Sequence, residues 1–174
     1  MQDNAHHLDL VRASPKDAGV LKLIVLRLPG ENRRTPAHAV LSSEQGVAGD
    51  RWNLKPNANP LSQVSVMNAR FLEAIAGDAT RMDLAGDNLI VDLNLSEANL
   101  PVGARLRIGP TVIEVTDLPH TGCKKFHGRY GKEALVLVNS PEGRALRLRG
   151  LYARIIHGGE IHVGDPVDKE PPHA

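Results

Sequence analysis

Cys123 is the only cysteine among 174 residues, and its neighbours give it chemistry. It closes the turn Pro119-His120-Thr121-Gly122-Cys123, and Lys124 and Lys125 follow at once. Nearby cations favour a thiolate over a thiol, and thiolates are soft metal ligands and good nucleophiles. A lone cysteine is more often a small buried hydrophobe, but proline, glycine and two lysines are poor company for a core position. His120, three residues earlier, is the best-placed proton donor. Cations gather in the same part of the chain. Lys124–Arg149 holds seven Lys or Arg against two Glu, whereas the whole chain has a net charge of only +1. One basic segment in a balanced chain suits a compact anionic ligand better than a long nucleic acid.

The single cysteine excludes an internal disulfide framework and any Cys-rich zinc or iron–sulfur site within this chain. No apolar run approaches the ~18 residues of a membrane span, and the first residues lack the basic and apolar regions of a signal peptide. A soluble, cytoplasmic protein that binds neither membrane nor nucleic acid is expected. With 16 glycines, 12 prolines and 3% aromatics, the chain should be turn-rich and mainly β, with an aliphatic core.

The elements that position the cysteine follow from local pattern. Residues 1–19 read as a flexible arm. Val20–Leu28 is a strand candidate stopped by Pro29-Gly30, and Ala39–Leu41 and Gln63–Met67 are further candidates. Arg33 and Arg34 lie in the polar loop between the first two. Gly46-Val47-Ala48-Gly49-Asp50-Arg51 permits a tight turn, with Asp50-Arg51 available as an ion pair. Ala69–Ala76 reads as a helix capped by Asn68 and ended by Gly77. Gly86-Asp87-Asn88 is a turn before the strand Leu89–Leu93. Ala104–Ile108 and Thr111–Thr116 form a hairpin that delivers the chain to the cysteine turn. Gly131–Val138 reads equally as helix or buried strand, and Ser140-Pro141-Glu142 as a helix start. Arg144 and Arg147 share a face if both are helical. Gly158-Gly159 reads as the turn of a last hairpin.

Together these pieces resemble the MOSC domain family (molybdenum cofactor sulfurase C-terminal domain) in its small stand-alone bacterial type. The resemblance runs through Gly46–Arg51, Gly86–Leu89, Val102-Gly103, Cys123–Phe126, Gly143–Gly150 and Gly164-Asp165. It implies a MOSC-type β-barrel, similar to the pyruvate-kinase β-barrel domain, with a few short helices over residues 20–167 and a tail at 168–174. It also implies molybdopterin as cofactor, with Cys123 as the molybdenum ligand or a sulfur-handling residue. Lys124, Lys125, Arg147 and Arg149 are then candidates for cofactor contacts, and Asn88 and Thr116 for the rim. Nothing resembles the desulfurase domain of the sulfurases, so no pyridoxal phosphate is expected.

Two functions follow as expectations. In the first, a molybdenum-dependent oxidoreductase removes oxygen from small N-hydroxylated substrates, with Cys123 and His120 catalytic and an external flavin or iron–sulfur reductase as electron donor. In the second, the chain is a sulfur or cofactor carrier that receives a persulfide on Cys123 from a sulfur donor. A cysteine hydrolase using Cys123 and His120 ranks last, because nothing marks an acyl substrate or an oxyanion hole.

Overall fold

A computed structural model describes residues 3–172. Helix α1 (Asp3–Arg12) comes first, then β1 (Ala18–Ile24) and the short pair β2 (Leu26–Arg27) and β3 (Arg33–Arg34). Next are β4 (His38–Ser42), β5 (Gly46–Val47), β6 (Val64–Asn68), α2 (Ala69–Ala76) and β7 (Leu89–Asp92). β8 (Arg105–Ile108) and β9 (Thr111–Val115) lead to α3 (Lys124–Asn139) and α4 (Pro141–Ala145). β10 (Leu151–His157), β11 (Gly159–His162) and β12 (Pro166–Lys169) follow.

Seven strands close into a barrel in the order β1-β12-β8-β9-β10-β6-β7. Only β6 and β7 run parallel within it, because the α2 crossover joins them. Alternate strand residues such as Val64, Val66, Leu89, Val91, Ile113 and Val115 fill the barrel, whose buried cluster contains no aromatic side chain. Met67 and Ile90, on the outer faces of β6 and β7, enter a second core with Phe71 and Phe126 under α1, α2 and α3. Burial on both faces explains why Leu89–Val91 of β7 is continuously apolar. The mainly β barrel with a few helices is therefore the expected architecture.

Several local readings hold. Helix α2 spans Ala69–Ala76, Asn68 Oδ1 accepts from the Phe71 N–H at 3.0 Å, and Gly77 ends it at φ 71°. β8 and β9 pair around Gly109-Pro110. Between the helix and the buried strand left open for Gly131–Val138, the structure decides for helix: α3 breaks at Gly131 (φ 92°), continues from Lys132 and buries Ala134, Leu137 and Val138.

Others need correction. Residues 3–12, expected to be a flexible arm, form α1, which buries Leu8 and Val11 against the second core. Two apolar residues at i, i+3 suffice for that contact, and Arg12 reaches Glu142 of α4. The barrel runs from Ala18 to Lys169, slightly beyond 20–167 at both ends. β10 and β11 are not a hairpin: β10 bonds to β9 and β6, while β11 leaves to join the outer sheet β11-β4-β5. A Cβ on Gly158 would lie 2.5 Å from the Leu41 carbonyl oxygen, so this glycine serves a close approach between sheets. Arg144 and Arg147 do not share a helical face, because α4 ends at Ala145 and Arg147 turns to φ 50°. Among the described residues, no helix is long and apolar enough to cross a membrane.

Candidate functional site

Cys123 sits at the N-cap of α3 and is exposed. Its turn is clamped from behind. The Gly122 N–H donates to Asn139 Oδ1 at 2.9 Å, and Asn139 Nδ2 donates back to the Gly122 carbonyl at 3.2 Å. A side chain on Gly122 would strike Val138 at 2.7 Å and Leu135 at 2.8 Å, so glycine lets the turn lie flat on α3. Partial burial opposes ionisation of the thiol, but the backbone N–H groups of Phe126 and Lys125 and the guanidiniums of Arg149 and Arg129 outweigh it. The thiol pKa therefore lies below its ordinary value, as the sequence suggested. The cause differs: open helix donors and arginines do this, and the Lys125 ammonium turns to Glu31.

Two buried carboxylates hold the surrounding groups. Asp87 receives His120 Nε2 at 2.7 Å on Oδ1 and Arg149 on Oδ2. Burial raises its pKa, yet Arg149 and His120 overcome this and hold it at about 2. An ionised Asp87 can only accept, so His120 Nε2 carries the proton. Burial keeps the His120 pKa below the usual imidazole value despite the Asp87 charge. Its ring stacks on Tyr152 with centroids 4.2 Å apart. Asp50 plays the same part on the other side. It accepts from the Arg27 backbone N–H at 2.7 Å, from Arg27 Nε at 3.1 Å and Nη2 at 2.8 Å, and from the Trp52 N–H at 3.1 Å. Asn88 ties the two regions together, donating to Asp50 Oδ1 and the Val25 carbonyl and accepting from the Ser65 N–H.

These groups wall a cavity of about 280 Å³. Cys123, His120 and Tyr152 line it with six cations: Arg27, Arg33, Arg51, Lys125, Arg129 and Arg149. Three carboxylates, Asp50, Asp87 and Glu31, pair with four of them, which leaves three positive charges in excess. Arg33 and Arg51 have no carboxylate partner among the described residues; Arg33 instead donates to the carbonyls of Asp83 and Asn32. Burial and the like charges of Arg129 and Arg51 lower the Arg33 pKa, which places these guanidiniums in one field. A groove of about 390 Å³ along residues 99–105 and 169–172 is larger but holds neither thiol nor histidine. The cavity is built to hold a compact anion beside an acidic thiol.

A sequence model of the MOSC domain matches residues 41–168. The chain belongs to the MOSC domain family. Its barrel resembles that of YiiM from Escherichia coli, with 19% identity, a TM-score of 0.58, and 89% of this chain and 71% of that one covered. The YUAD protein from Bacillus subtilis matches at 11% identity and a TM-score of 0.60, covering 90% of this chain and 97% of that one. A hypothetical protein of solved structure matches at 18% identity and a TM-score of 0.62, covering 93% and 71%. At these identities the likeness concerns the fold alone. No functionally curated protein matches the sequence. The MOSC family is associated with molybdenum-cofactor binding.

Within this MOSC domain, the expected site residues part company. Cys123, His120, Lys125 and Arg149 converge on the cavity, and Lys124 is not part of its lining. Asn88 is not at a rim: it is fully buried, and its amide is spent on Asp50, Val25 and Ser65. Thr116 is also buried, its hydroxyl donating to the Leu61 carbonyl at 2.7 Å. Arg147 points elsewhere, donating to the carbonyls of Leu95 and Leu100. The Asp50-Arg51 pair does not form, since Asp50 takes Arg27 and leaves Arg51 to the cavity. Arg27, Arg33, Arg51, Arg129 and Tyr152 escaped the sequence reading as site residues. The one available signal was arginine beside motif or turn residues, which does not say where a side chain points.

Proposed function

We propose that this cavity binds the molybdenum cofactor and that the protein uses it to remove oxygen from N-hydroxylated compounds. The observation that carries the reading is an exposed, acidified thiol on the wall of a cavity with positive charge in excess. The residues fit the group. Cys123 offers the soft thiolate that molybdenum takes, and the arginines offer forked donors for the pterin's phosphate. Two-electron chemistry and oxygen-atom acceptance are what the cofactor supplies when bound.

The chain's own residues do the rest. Overall, an N–OH group, two electrons and two protons give N–H and water. The electrons come from an external flavin or iron–sulfur reductase. The His120 N–H is committed to Asp87 and burial keeps the ring neutral, so His120 supplies a proton only after its remaining nitrogen has taken one from solvent, and solvent is the source of the second proton. Burial and Asp87 raise the Tyr152 pKa, so its phenol stays protonated and is a donor on the same wall. Asp87 fixes both His120 and Arg149, holding the tautomer of one and the charge of the other.

Exposure of Cys123 also supports a second reading, in which it carries a persulfide, because donor and acceptor proteins must reach the sulfur. Cys123→Ser separates the two. Serine is nearly isosteric and the position is exposed, so the melting temperature should stay close to that of the parent. Protein made in cofactor-producing cells should lose bound molybdenum and most viologen-driven reduction of an N-hydroxylated compound. A serine variant with full reductase activity removes Cys123 from the mechanism and the first reading with it. A parent that takes up labelled sulfur and never shows reductase activity favours the second.

A further inference from the structure

The tip of the β2–β3 hairpin crosses to α3 and puts a carboxylate onto the cavity's own cations. Glu31 bonds to both Lys125 and Arg129, the latter at 2.8 Å. It does so from a left-handed backbone, φ 66°, directly after Gly30 at φ 74°. Left-handed conformation is unfavourable for a glutamate and is found where surrounding contacts enforce it. The same hairpin supplies Arg27 and Arg33 to the cavity, so its base builds the site while its tip pairs with two cations of the cavity wall.

We infer that Glu31 is a built-in competing anion, a carboxylate that an entering phosphate monoester must displace from Lys125 and Arg129. This rests on the reading of the cavity as the cofactor's anion site. The outcome of that competition follows from charge. A ligand that takes Lys125 and Arg129 gives up the interaction those cations had with one carboxylate charge. A phosphate monoester brings between one and a half and two negative charges near neutral pH and can also engage Arg33 and Arg51, which have no carboxylate partner among the described residues. A phosphodiester or a simple carboxylate brings one charge, no more than Glu31 already provides at closer range. The site therefore selects a terminal phosphate over an esterified one.

The test is calorimetric titration at pH 8 and low salt, where screening is weak, using methyl phosphate, dimethyl phosphate and acetate. The parent should prefer methyl phosphate over dimethyl phosphate by at least tenfold. Glu31→Gln, an exposed and nearly isosteric change, should bind every probe three- to tenfold more tightly and by a similar factor, because each must break the same two ion pairs. The monoester preference, which comes from the excess cations, should stay close to that of the parent. Arg33→Ala should weaken methyl phosphate in both backgrounds, which places the event in the cavity. If the parent binds methyl phosphate and Glu31→Gln leaves that affinity unchanged, Glu31 is a surface ion pair and the inference is overturned while the cavity remains an anion site. If neither protein binds any probe, the anion reading of the cavity falls, and this inference falls with it.

Discussion

Asp87 is fully buried yet ionised, because Arg149 and His120 both bond to it and hold its pKa at about 2. That depression fixes the sign of a pH effect. The unfolded chain protonates this carboxyl first, near ~3.9, so its contribution is fully present above about pH 4 and is lost as pH falls towards 2. Urea unfolding between pH 2 and 6 should show about 2 kcal/mol of stability lost over that window through this group. His120, whose pKa is also lowered by burial, acts in the same direction at higher pH, since protonating it costs the folded state more than the unfolded one. Asp87→Asn should cost about 3–5 kcal/mol, because Arg149 is left as a buried charge without its counter-ion. Equilibrium denaturation at pH 7 measures this. A loss under 1 kcal/mol would mean that the pair is not important to the fold. The same argument makes Arg149 structural as well as site-lining, which its place in a basic run did not reveal.

At the scale of elements, the site depends on glycines and clamps where strands and helices meet. Gly150 enters β10 at φ 109°, and a Cβ there would sit 2.4 Å from the Val66 carbonyl oxygen and 3.3 Å from His120 Cδ2. Gly150→Ala should therefore cost about 1–3 kcal/mol through backbone strain and displace the imidazole, seen as a lower melting temperature and a shifted His120 ring resonance. Asn139 joins the two ends of the α3 region through its paired bonds to Gly122. Asn139→Ala should cost about 1–3 kcal/mol. It should also raise the pH midpoint of Cys123 alkylation, because the thiol no longer faces aligned helix donors. An unchanged midpoint with lost stability would show that the helix start holds the sulfur without the clamp. α2 was readable because its caps and apolar face are local. The Gly158-Gly159 pair was not, because a close approach to β4 and a tight turn ask for the same residue.

At the scale of the whole molecule, α1 and the second core support the helical side of the barrel. Leu8 is buried among α1, α2 and α3, so Leu8→Ala should cost about 2–4 kcal/mol while methyl phosphate affinity stays within twofold. A matching loss of affinity would mean that the helical layer sets the geometry of α3 at the cavity. The sequence alone determined what is local or carried by ordered motifs: the mainly β barrel, the hairpin before the cysteine, the α2 helix, the family and the acidic thiol. Tertiary structure alone decided which charges face that thiol. Arg27, Arg33 and Arg51 come from a hairpin and a turn in the first third of the chain, and they meet α3 only after the barrel closes. Neighbouring residues in sequence cannot report such a meeting. Asp50 passes over adjacent Arg51 for Arg27, and Arg147 and Arg149, two residues apart, point to different loops. A side chain's direction is set by backbone dihedrals and by which buried carboxylate it can reach, and both are products of strand register and burial across the whole domain.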